Sequence, residues 1–347
     1  MNRPSPNLSP NLSLNLASTL VFAALLAAGA SAWAQPAPSE ASIAAHVAAA
    51  KQAAGTDLRP LASLCAPAPA TRPTAGESEK YIEAMMSRPA PFPGKAFDNL
   101  YFVGANWVSA WAIKTSDGII LIDALNNQAE ASALIERGLA PLGLNPAQIK
   151  YIIVTHGHGD HYGGVRYLVD RYQPRVVMSE RDWKMTETKL EFESPHWDAP
   201  PKRNTGDMAV HDGDTLRLGD TVVTLYLTPG HTMGTITPVF DVKSGGTTHR
   251  AMLWGGTSFN FGKDIPRLDA YIEATQRLAK FVGEQHIDVL ISNHSGFDDS
   301  LAKLDALRNQ PGLDPNPFVI GTPAVERALT VMGECAQAQR DRFLLQP

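Results

Sequence analysis

Residues 150–164 read KYIIVTHGHGDHYGG, an apolar run that ends in three histidines and one aspartate. Residues 151–154 are β-branched or aromatic and are bounded by polar residues, a profile that predicts a strand buried on both faces. The residues that follow then form a loop at the end of that strand. Gly163 and Gly164 allow the backbone to turn tightly into a helix predicted at 165–171. The stretch is typical of an α/β protein that carries its site where strands end.

Four side chains in this loop are potential metal ligands, namely His156, His158, Asp160 and His161. A mixture of imidazole and carboxylate ligands suits zinc. In an extended loop, residues i and i+2 point to the same side, so His156 and His158 can bind one ion together. The other two lie past a turn that glycines allow and would face a second ion. The alternative is a polar loop whose histidines cap a helix, but the density of ligand types and their recurrence downstream favour a metal site.

Two later histidines also follow predicted strands. Residues 221–227 (TVVTLYL) alternate like a strand and run into a Thr-Pro-Gly turn that projects His231. Residues 287–292 (IDVLIS) predict another apolar strand, and His294 follows it. Because sites in α/β proteins gather at strand ends, we expect both histidines to join the cluster. The remaining five histidines lack strand-end partners and are interpreted as non-ligands: His46, His196, His211, His249 and His286.

The HxHxDH pattern at 156–161 resembles the signature of the metallo-β-lactamase superfamily, and His231 and His294 resemble its further ligand positions. Carried over residue by residue, the resemblance implies two zinc ions per chain, the first held by His156, His158 and His231. The second would be held by Asp160, His161 and His294. The resemblance covers roughly residue 97 to the C-terminal helix. It implies an α/β fold, a four-layer αββα sandwich with both metals in a cleft at one edge.

Asp123 closes the third of three successive strand-like runs, at 97–103, 107–114 and 118–123, which together predict an antiparallel meander. In the resembled family a carboxylate at this point accepts the free N–H of a zinc-bound histidine and so fixes its tautomer. The alternative is that Asp123 caps a helix predicted at 129–139.

The segment at 254–258 (WGGTS) departs from part of the superfamily, because glyoxalase II-like, phosphodiesterase-like and many lactonase-like members place a bridging aspartate here. This chain has Gly256 and Thr257 instead. Metallo-β-lactamases also lack that aspartate, and their third, B3-like subclass uses histidine and aspartate around the second zinc, as this chain does. The resemblance is therefore greatest to that subclass.

Candidate substrate contacts are few. Residues 194–201 are too rich in proline for regular structure, and aromatic loops near clefts often contact substrate, so Trp197 is a candidate wall. A surface loop anchored by one buried tryptophan is the alternative. Ser258 and Asn260 could hold a substrate carboxylate, although no lysine stands at that turn, and Tyr162 is a polar group beside the cluster.

The N-terminus predicts export. Of 347 residues, those at 20–30 form a short apolar core, and an Ala-x-Ala site follows at 32–34, which is typical of a signal peptide cut after Ala34. The core is too short for a membrane anchor. We therefore predict a signal peptide at 1–34, an extension at 35–96 that helps form the cleft wall, and a catalytic domain at 97–347. The mature protein would be periplasmic or secreted, free of membrane, and the net charge of −5 argues against a nucleic-acid partner.

Cys65 and Cys335 are the only cysteines. In an oxidising compartment such a pair can form one disulfide, which would tie the N-terminal segment to the C-terminal helix. Two separate buried thiols are the alternative.

These patterns predict a hydrolase of a small molecule. A zinc-bound water becomes hydroxide near neutral pH, and Asp160 would orient it for attack on a carbonyl. The leading hypothesis is an exported binuclear zinc enzyme that opens the amide of a β-lactam antibiotic. The alternatives are a zinc hydrolase of a lactone or other small ester or amide, and a non-catalytic zinc-binding protein.

Overall fold

Two β-sheets form the centre of the molecule, which the computed structural model describes from residue 37 to residue 346. Within these residues the first sheet has seven strands in chain order: β1 (Gly94–Phe97), β2 (Leu100–Phe102), β3 (Trp111–Thr115), β4 (Gly118–Ile122), β5 (Ile149–Ile153), β6 (Arg175–Ser179) and β7 (Met208–Val210). The second has five, in the order β12-β11-β10-β9-β8: β8 (Asp214–Leu218), β9 (Thr221–Leu227), β10 (Ile236–Ser244), β11 (Thr247–Trp254) and β12 (Val289–Ser292).

The pairing of neighbouring strands changes once in each sheet, from antiparallel to parallel. Strands β1 to β4 form an antiparallel meander, and β4 to β7 run parallel. In the second sheet β8 to β11 are antiparallel, and β12 runs parallel to β11. The prediction of one strand at 97–103 is wrong, because Phe97 ends β1 and Leu100 begins β2. Asp98 and Asn99 stand between them, and both residue types favour turns.

Helices cover the outer faces of the two sheets. Their bounds are α1 (Glu40–Ala54), α2 (Arg59–Ala62), α3 (Ala75–Met86), α4 (Gln128–Glu130), α5 (Arg137–Leu139), α6 (Gly159–Tyr162), α7 (Val165–Tyr172), α8 (Glu180–Thr188), α9 (Ile265–Gln285), α10 (Ser300–Asn309) and α11 (Thr322–Leu345). A π-helical segment, Ala131–Glu136, joins α4 to α5, and 3₁₀ turns lie at Ser63–Cys65, Ala140–Leu142 and Pro146–Gln148.

Three apolar clusters separate four layers. Successive residues of β4 alternate between two of them: Ile120 and Ile122 face the second sheet, whereas Ile119 and Leu121 face the helices of the first sheet. This alternation follows from the two-residue period of a strand. The third cluster packs α1, α9 and α11 against the outer face of the second sheet. The predicted α/β fold, an αββα sandwich, is thereby confirmed.

The N-terminal segment is tied to the C-terminal helix. Ser39 caps α1, as the sequence indicates, and Ser42 returns a hydrogen bond in a capping box. Helix α1 packs on α11. Cys65 and Cys335 form a disulfide that closes a loop of 270 residues, so the interpretation as two separate thiols is wrong.

The predicted signal peptide at 1–34 lies outside the described residues. Strand β1, Gly94–Phe97, crosses the predicted boundary between the extension and the catalytic domain at residue 96. Between residues 37 and 346, none of the helices combines the length and the apolar character that a membrane span needs.

Candidate metal centre

The ligand candidates meet at the carboxyl ends of β5, β9 and β12. The loop after β5 carries His156 and His158, and α6 places Asp160 and His161 directly behind them. Asp182 holds two of these loops together, since it accepts hydrogen bonds from the backbone N–H of Gly157 at 2.8 Å and from the hydroxyl of Thr232 at 2.7 Å. The buried Asp182 therefore fixes the loop of His158 against the loop of His231.

The first group consists of His156, His158 and His231, whose ligand nitrogens all lie within 4.8 Å of one another. The Nε2 atoms of His156 and His231 are 3.1 Å apart. In both His156 and His231 the Nδ1 atom faces a backbone carbonyl and therefore carries the proton, so the Nε2 atom presents a lone pair. Two opposed lone pairs repel unless a cation lies between them, and tetrahedral zinc would separate two nitrogens by about 3.3 Å. The group fits a divalent metal ion.

The second group is centred on Asp160. One carboxylate oxygen of Asp160 lies 3.3 Å from Nε2 of His161 and 3.6 Å from Nε2 of His294. His156 also belongs to a cluster with Asp160 and His161, so the two groups adjoin. The Nε2 atom of His161 is buried and has no hydrogen-bond partner among the described residues. An orphaned ring nitrogen of this kind is explained if the atom serves as a metal ligand.

The outer nitrogen of each histidine is held by a hydrogen bond, which fixes its tautomer. Four rings donate from Nδ1 and leave Nε2 for the centre. Three of them donate to backbone carbonyls: His156 to Gly255, His231 to Ser258 and His294 to Trp107. The fourth, His161, donates to the carboxylate of Asp123. His158 is reversed: its Nε2 donates to Glu191 at 3.2 Å, and its Nδ1 is left for the centre.

Asp123 lies 2.8 Å from Nδ1 of His161, so its carboxylate accepts the proton of that nitrogen. The same carboxylate accepts from the backbone N–H and the hydroxyl of Thr155, at 2.7 and 2.9 Å. The cap of the following helix is Asn127, so the alternative that Asp123 caps this helix is wrong.

Sequence reasoning missed Glu191 and its arginine partners. Besides His158, Glu191 contacts Arg72 at 2.8 Å and the buried Arg267. Arg267 also donates to the carbonyls of Gly230, at 2.8 Å, and of His231. Glu191 and Arg267 therefore connect the ring of His158 to the backbone of His231.

The pKa values of three candidate ligands favour metal binding. Burial and the positive charges of neighbouring histidines lower the pKa of His156 and of His231, and burial together with His161 lowers the pKa of His294 to about 4. Neutral imidazole is the form that binds metals. Burial alone would raise the pKa of Asp160, but the adjacent histidines lower it. His161 differs: burial would lower its pKa, yet the charges of Asp160 and Asp123 raise it to about 10, so this ring must give up a proton to bind a metal ion.

A cavity of about 700 Å³ opens above the centre and is lined by His158, Asp160, His231 and His294. Of the predicted substrate contacts, Trp197, Ser258 and Asn260 line this cavity. Trp197 donates its Nε1 proton to Asn126 at 2.9 Å and covers Gly159 so closely that a Cβ there would lie 2.3 Å from the indole. Trp197 thus packs directly on the segment that carries His158 and Asp160.

Tyr162 is not among the residues that line the cavity. It is 1% exposed and packs in the apolar cluster between the first sheet and its helices. Burial, followed by the charge of Asp160, raises its pKa above the usual range. The prediction that Tyr162 contacts substrate has no support in this geometry.

Comparison with known proteins agrees with the geometry. Residues 104–244 match the family model of the metallo-beta-lactamase superfamily, so the chain contains a domain of that superfamily. Its fold resembles that of BJP-1, a subclass B3 metallo-beta-lactamase of Bradyrhizobium japonicum, with a TM-score of 0.61, 27% identity, and coverage of 75% of this chain and 98% of that one. FEZ-1 of Legionella gormanii has a similar fold, with a TM-score of 0.58 and 23% identity over 74% of this chain and 96% of that one.

Similarity to curated relatives is shorter. A hydroxyacylglutathione hydrolase of Rhodopseudomonas palustris (strain BisB5) is 38% identical over 111 residues, which is 32% of this chain and 34% of that protein. A lactamase-like protein of Aspergillus niger is 30% identical over 162 residues, or 47% of this chain and 42% of that protein. The chain spans about a third of the length of the first of these relatives and less than half of the second.

Proposed function

We propose that the protein is an exported binuclear zinc hydrolase that opens the amide bond of a β-lactam ring. The observation that carries this proposal is the convergence of six candidate ligands from three strand ends, four of which line one cavity. The first zinc would be held by His156, His158 and His231, and the second by Asp160, His161 and His294.

Zinc, when bound, supplies Lewis acidity that activates water and polarises a carbonyl group. The residues of the chain supply orientation and charge. Asp160 carries its negative charge at the cavity floor, where it can orient the attacking water and accept a hydrogen bond from it. Asn260 lines the cavity, so its side-chain amide can contact a substrate.

A substrate carboxylate has a partner that sequence reasoning did not find. Within the described part of the chain, Arg88 is the only lysine or arginine among the cavity-lining residues. It forms no ion pair with another described side chain. A guanidinium is suited to bind a carboxylate with two parallel hydrogen bonds. Arg88 therefore supplies the positive charge that the turn at Ser258 and Asn260 lacks.

Hydrolysis of a lactone or other small ester or amide is the second candidate, and similarity to a hydroxyacylglutathione hydrolase favours it. The geometry near His231 argues against a close functional parallel. A Cβ at Gly256 would lie 2.7 Å from Cβ of His231, so a side chain there would displace that ligand. Gly256 is one of the two residues that stand where glyoxalase II-like, phosphodiesterase-like and many lactonase-like members place a bridging aspartate, and it is thus closed to a side chain.

Export is supported by two features of the chain. The first is the apolar core and Ala-x-Ala site at its N-terminus. The second is the disulfide, since structural disulfides persist in oxidising compartments such as the periplasm.

The proposal is tested by offering nitrocefin, benzylpenicillin and an acyl lactone to the purified protein. We expect both β-lactams to be hydrolysed, the activity to disappear with a chelator, and zinc to restore it. Turnover of the lactone alone would favour the second candidate. Absence of turnover with every carbonyl substrate, in the presence of added zinc, would leave the non-catalytic zinc-binding hypothesis.

A further inference from the structure

Helix α3, in the N-terminal extension, turns one side towards the cavity. Ser78, Tyr81, Ile82 and Met85 line the cavity, and their spacing of three and four residues places them on one stripe of the helix. Tyr81 nevertheless remains 58% exposed. Three of these four residues, Tyr81, Ile82 and Met85, are apolar or aromatic, so this side of the helix offers an apolar surface to a molecule bound in the cavity.

Aromatic side chains face this stripe from the catalytic domain. Trp107, Phe192, Trp197 and Phe297 line the same cavity. The ring of Tyr81 meets that of Trp107 edge to face, with 6.1 Å between centroids. Trp107 in turn lies 5.5 Å from the ring of His294 and accepts its Nδ1 proton through the backbone carbonyl. Ring contacts thus connect α3 through Trp107 to a candidate metal ligand.

The lining determines which group this space accepts. Aromatic and aliphatic side chains enclose it on both sides, and burial of apolar area is the dominant gain when such a pocket binds a ligand. A small polar substituent would gain little there. An aryl or branched aliphatic group attached near the scissile carbonyl would displace water from both walls.

We propose that α3 determines substrate specificity: its inner face binds a bulky apolar substituent on the acyl side of the substrate. This inference rests on the proposed hydrolase function. Tyr81 and Met85 are the contacting residues, and the N-terminal extension is consequently part of the active site.

The test compares two penicillins that share one ring system. Benzylpenicillin carries a phenylacetyl group, which 6-aminopenicillanic acid lacks. In Tyr81→Ala we expect KM for benzylpenicillin to rise about tenfold, because the aryl group loses one wall. For 6-aminopenicillanic acid the change should stay within about twofold. Met85→Ala should act in the same direction.

Glu83→Ala is the matched control, since Glu83 is exposed on the same helix and does not line the cavity. Zinc content and thermal unfolding, measured on each variant, separate a specificity effect from damage to the fold. Equal losses with both penicillins, or an equal effect in Glu83→Ala, would overturn the proposal.

A binding measurement covers the case in which neither penicillin is hydrolysed and the proposed function fails. Phenylacetate and acetate are then titrated against the protein, with tryptophan fluorescence as the signal, because Trp107 and Trp197 line the cavity. We expect phenylacetate to bind about tenfold more tightly than acetate, and Tyr81→Ala to abolish the difference. Equal binding of the two acids by the unaltered protein would overturn the inference about α3.

Discussion

Replacing Glu191 by glutamine should lower the zinc affinity of the first ligand group and leave that of the second unchanged. Glu191 accepts the Nε2 proton of His158 at 3.2 Å, whereas the described contacts of Asp160 and His161 do not include it. Glutamine keeps the size of the side chain but removes its charge. The ring of His158 then loses the carboxylate that presents its Nδ1 to the centre. Zinc affinity at the group of His156, His158 and His231 should fall about 10–100-fold, or about 1.4–2.7 kcal/mol.

Glu191→Gln should also lower the free energy of unfolding, and the two arginine partners of Glu191 contribute unequally to this loss. The Arg72 side chain is 45% exposed, so its pair with Glu191 contributes close to nothing. The Arg267 side chain is only 7% exposed, and removing the partner of a buried charge costs about 3–5 kcal/mol. We expect the lower end of that range, because glutamine retains one hydrogen-bond acceptor for the guanidinium.

The assay is competition with a chromophoric chelator, which reports the two zinc affinities of each protein separately, together with denaturant unfolding. Glu193→Gln is the control, since Glu193 is exposed in the same segment and does not line the cavity. One weakened and one unchanged zinc affinity in Glu191→Gln is the predicted result. Two unchanged affinities, with only a loss of stability, would refute the role of Glu191 in positioning His158.

Two further changes have defined outcomes. In Asp123→Asn one carboxylate oxygen becomes an NH₂ group, which cannot accept a hydrogen bond. The amide then cannot satisfy both the backbone N–H of Thr155 and the ring N–H of His161, so the affinity for the second zinc should fall about 10–100-fold in the chelator assay. Serine at both Cys65 and Cys335 should lower the free energy of unfolding by about 2–5 kcal/mol, and an unchanged denaturation midpoint would contradict this.

Glu136 predicts a pH dependence in the acid range. Burial alone would raise its pKa, but the hydroxyls of Tyr167 and Tyr172 and the guanidinium of Arg171 lower it from 4.5 to about 2. A depressed folded-state pKa contributes stability that is present above the unfolded value and is lost as pH falls towards 2. In Glu136→Gln the free energy of unfolding should therefore depend less on pH between pH 5 and pH 2 than in the unaltered protein. An unchanged pH dependence would contradict this role of Glu136.

The metal cluster could be predicted because its chemistry is local in sequence. His156, His158, Asp160 and His161 fall within six residues after an apolar run, and His231 and His294 each follow a strand with clear alternation or apolar content. Strand-end position then suffices to bring them together. The four-layer fold was predictable from the same residues through the resemblance that they carry.

The supporting residues could not be predicted, because nothing local marks them. Glu191 stands in an irregular segment and meets Arg267 across 76 positions of sequence, and Asp182 meets Thr232 across 50. Such pairs depend on tertiary packing alone. The hairpin at Asp98 and Asn99 was missed for another reason: apolar residues on both sides masked the turn chemistry of these two residues.

Strands β7 and β8 were also missed in the sequence. β7 has only three residues, and its burial pattern lacks the regular alternation that predicts a half-buried strand. β8 begins with two exposed polar residues and has a single buried position, Leu216. Both strands lie at the edges of their sheets, where neighbouring strands rather than local preference decide the structure.

Metal content and turnover, measured on one sample of purified protein before and after chelation, test the central claim most directly. We expect about two zinc ions per chain, hydrolysis of benzylpenicillin that stops when they are removed, and recovery on adding zinc. Hydrolysis that continues unchanged in protein freed of metal would contradict the account, as would fully folded protein that takes up no zinc.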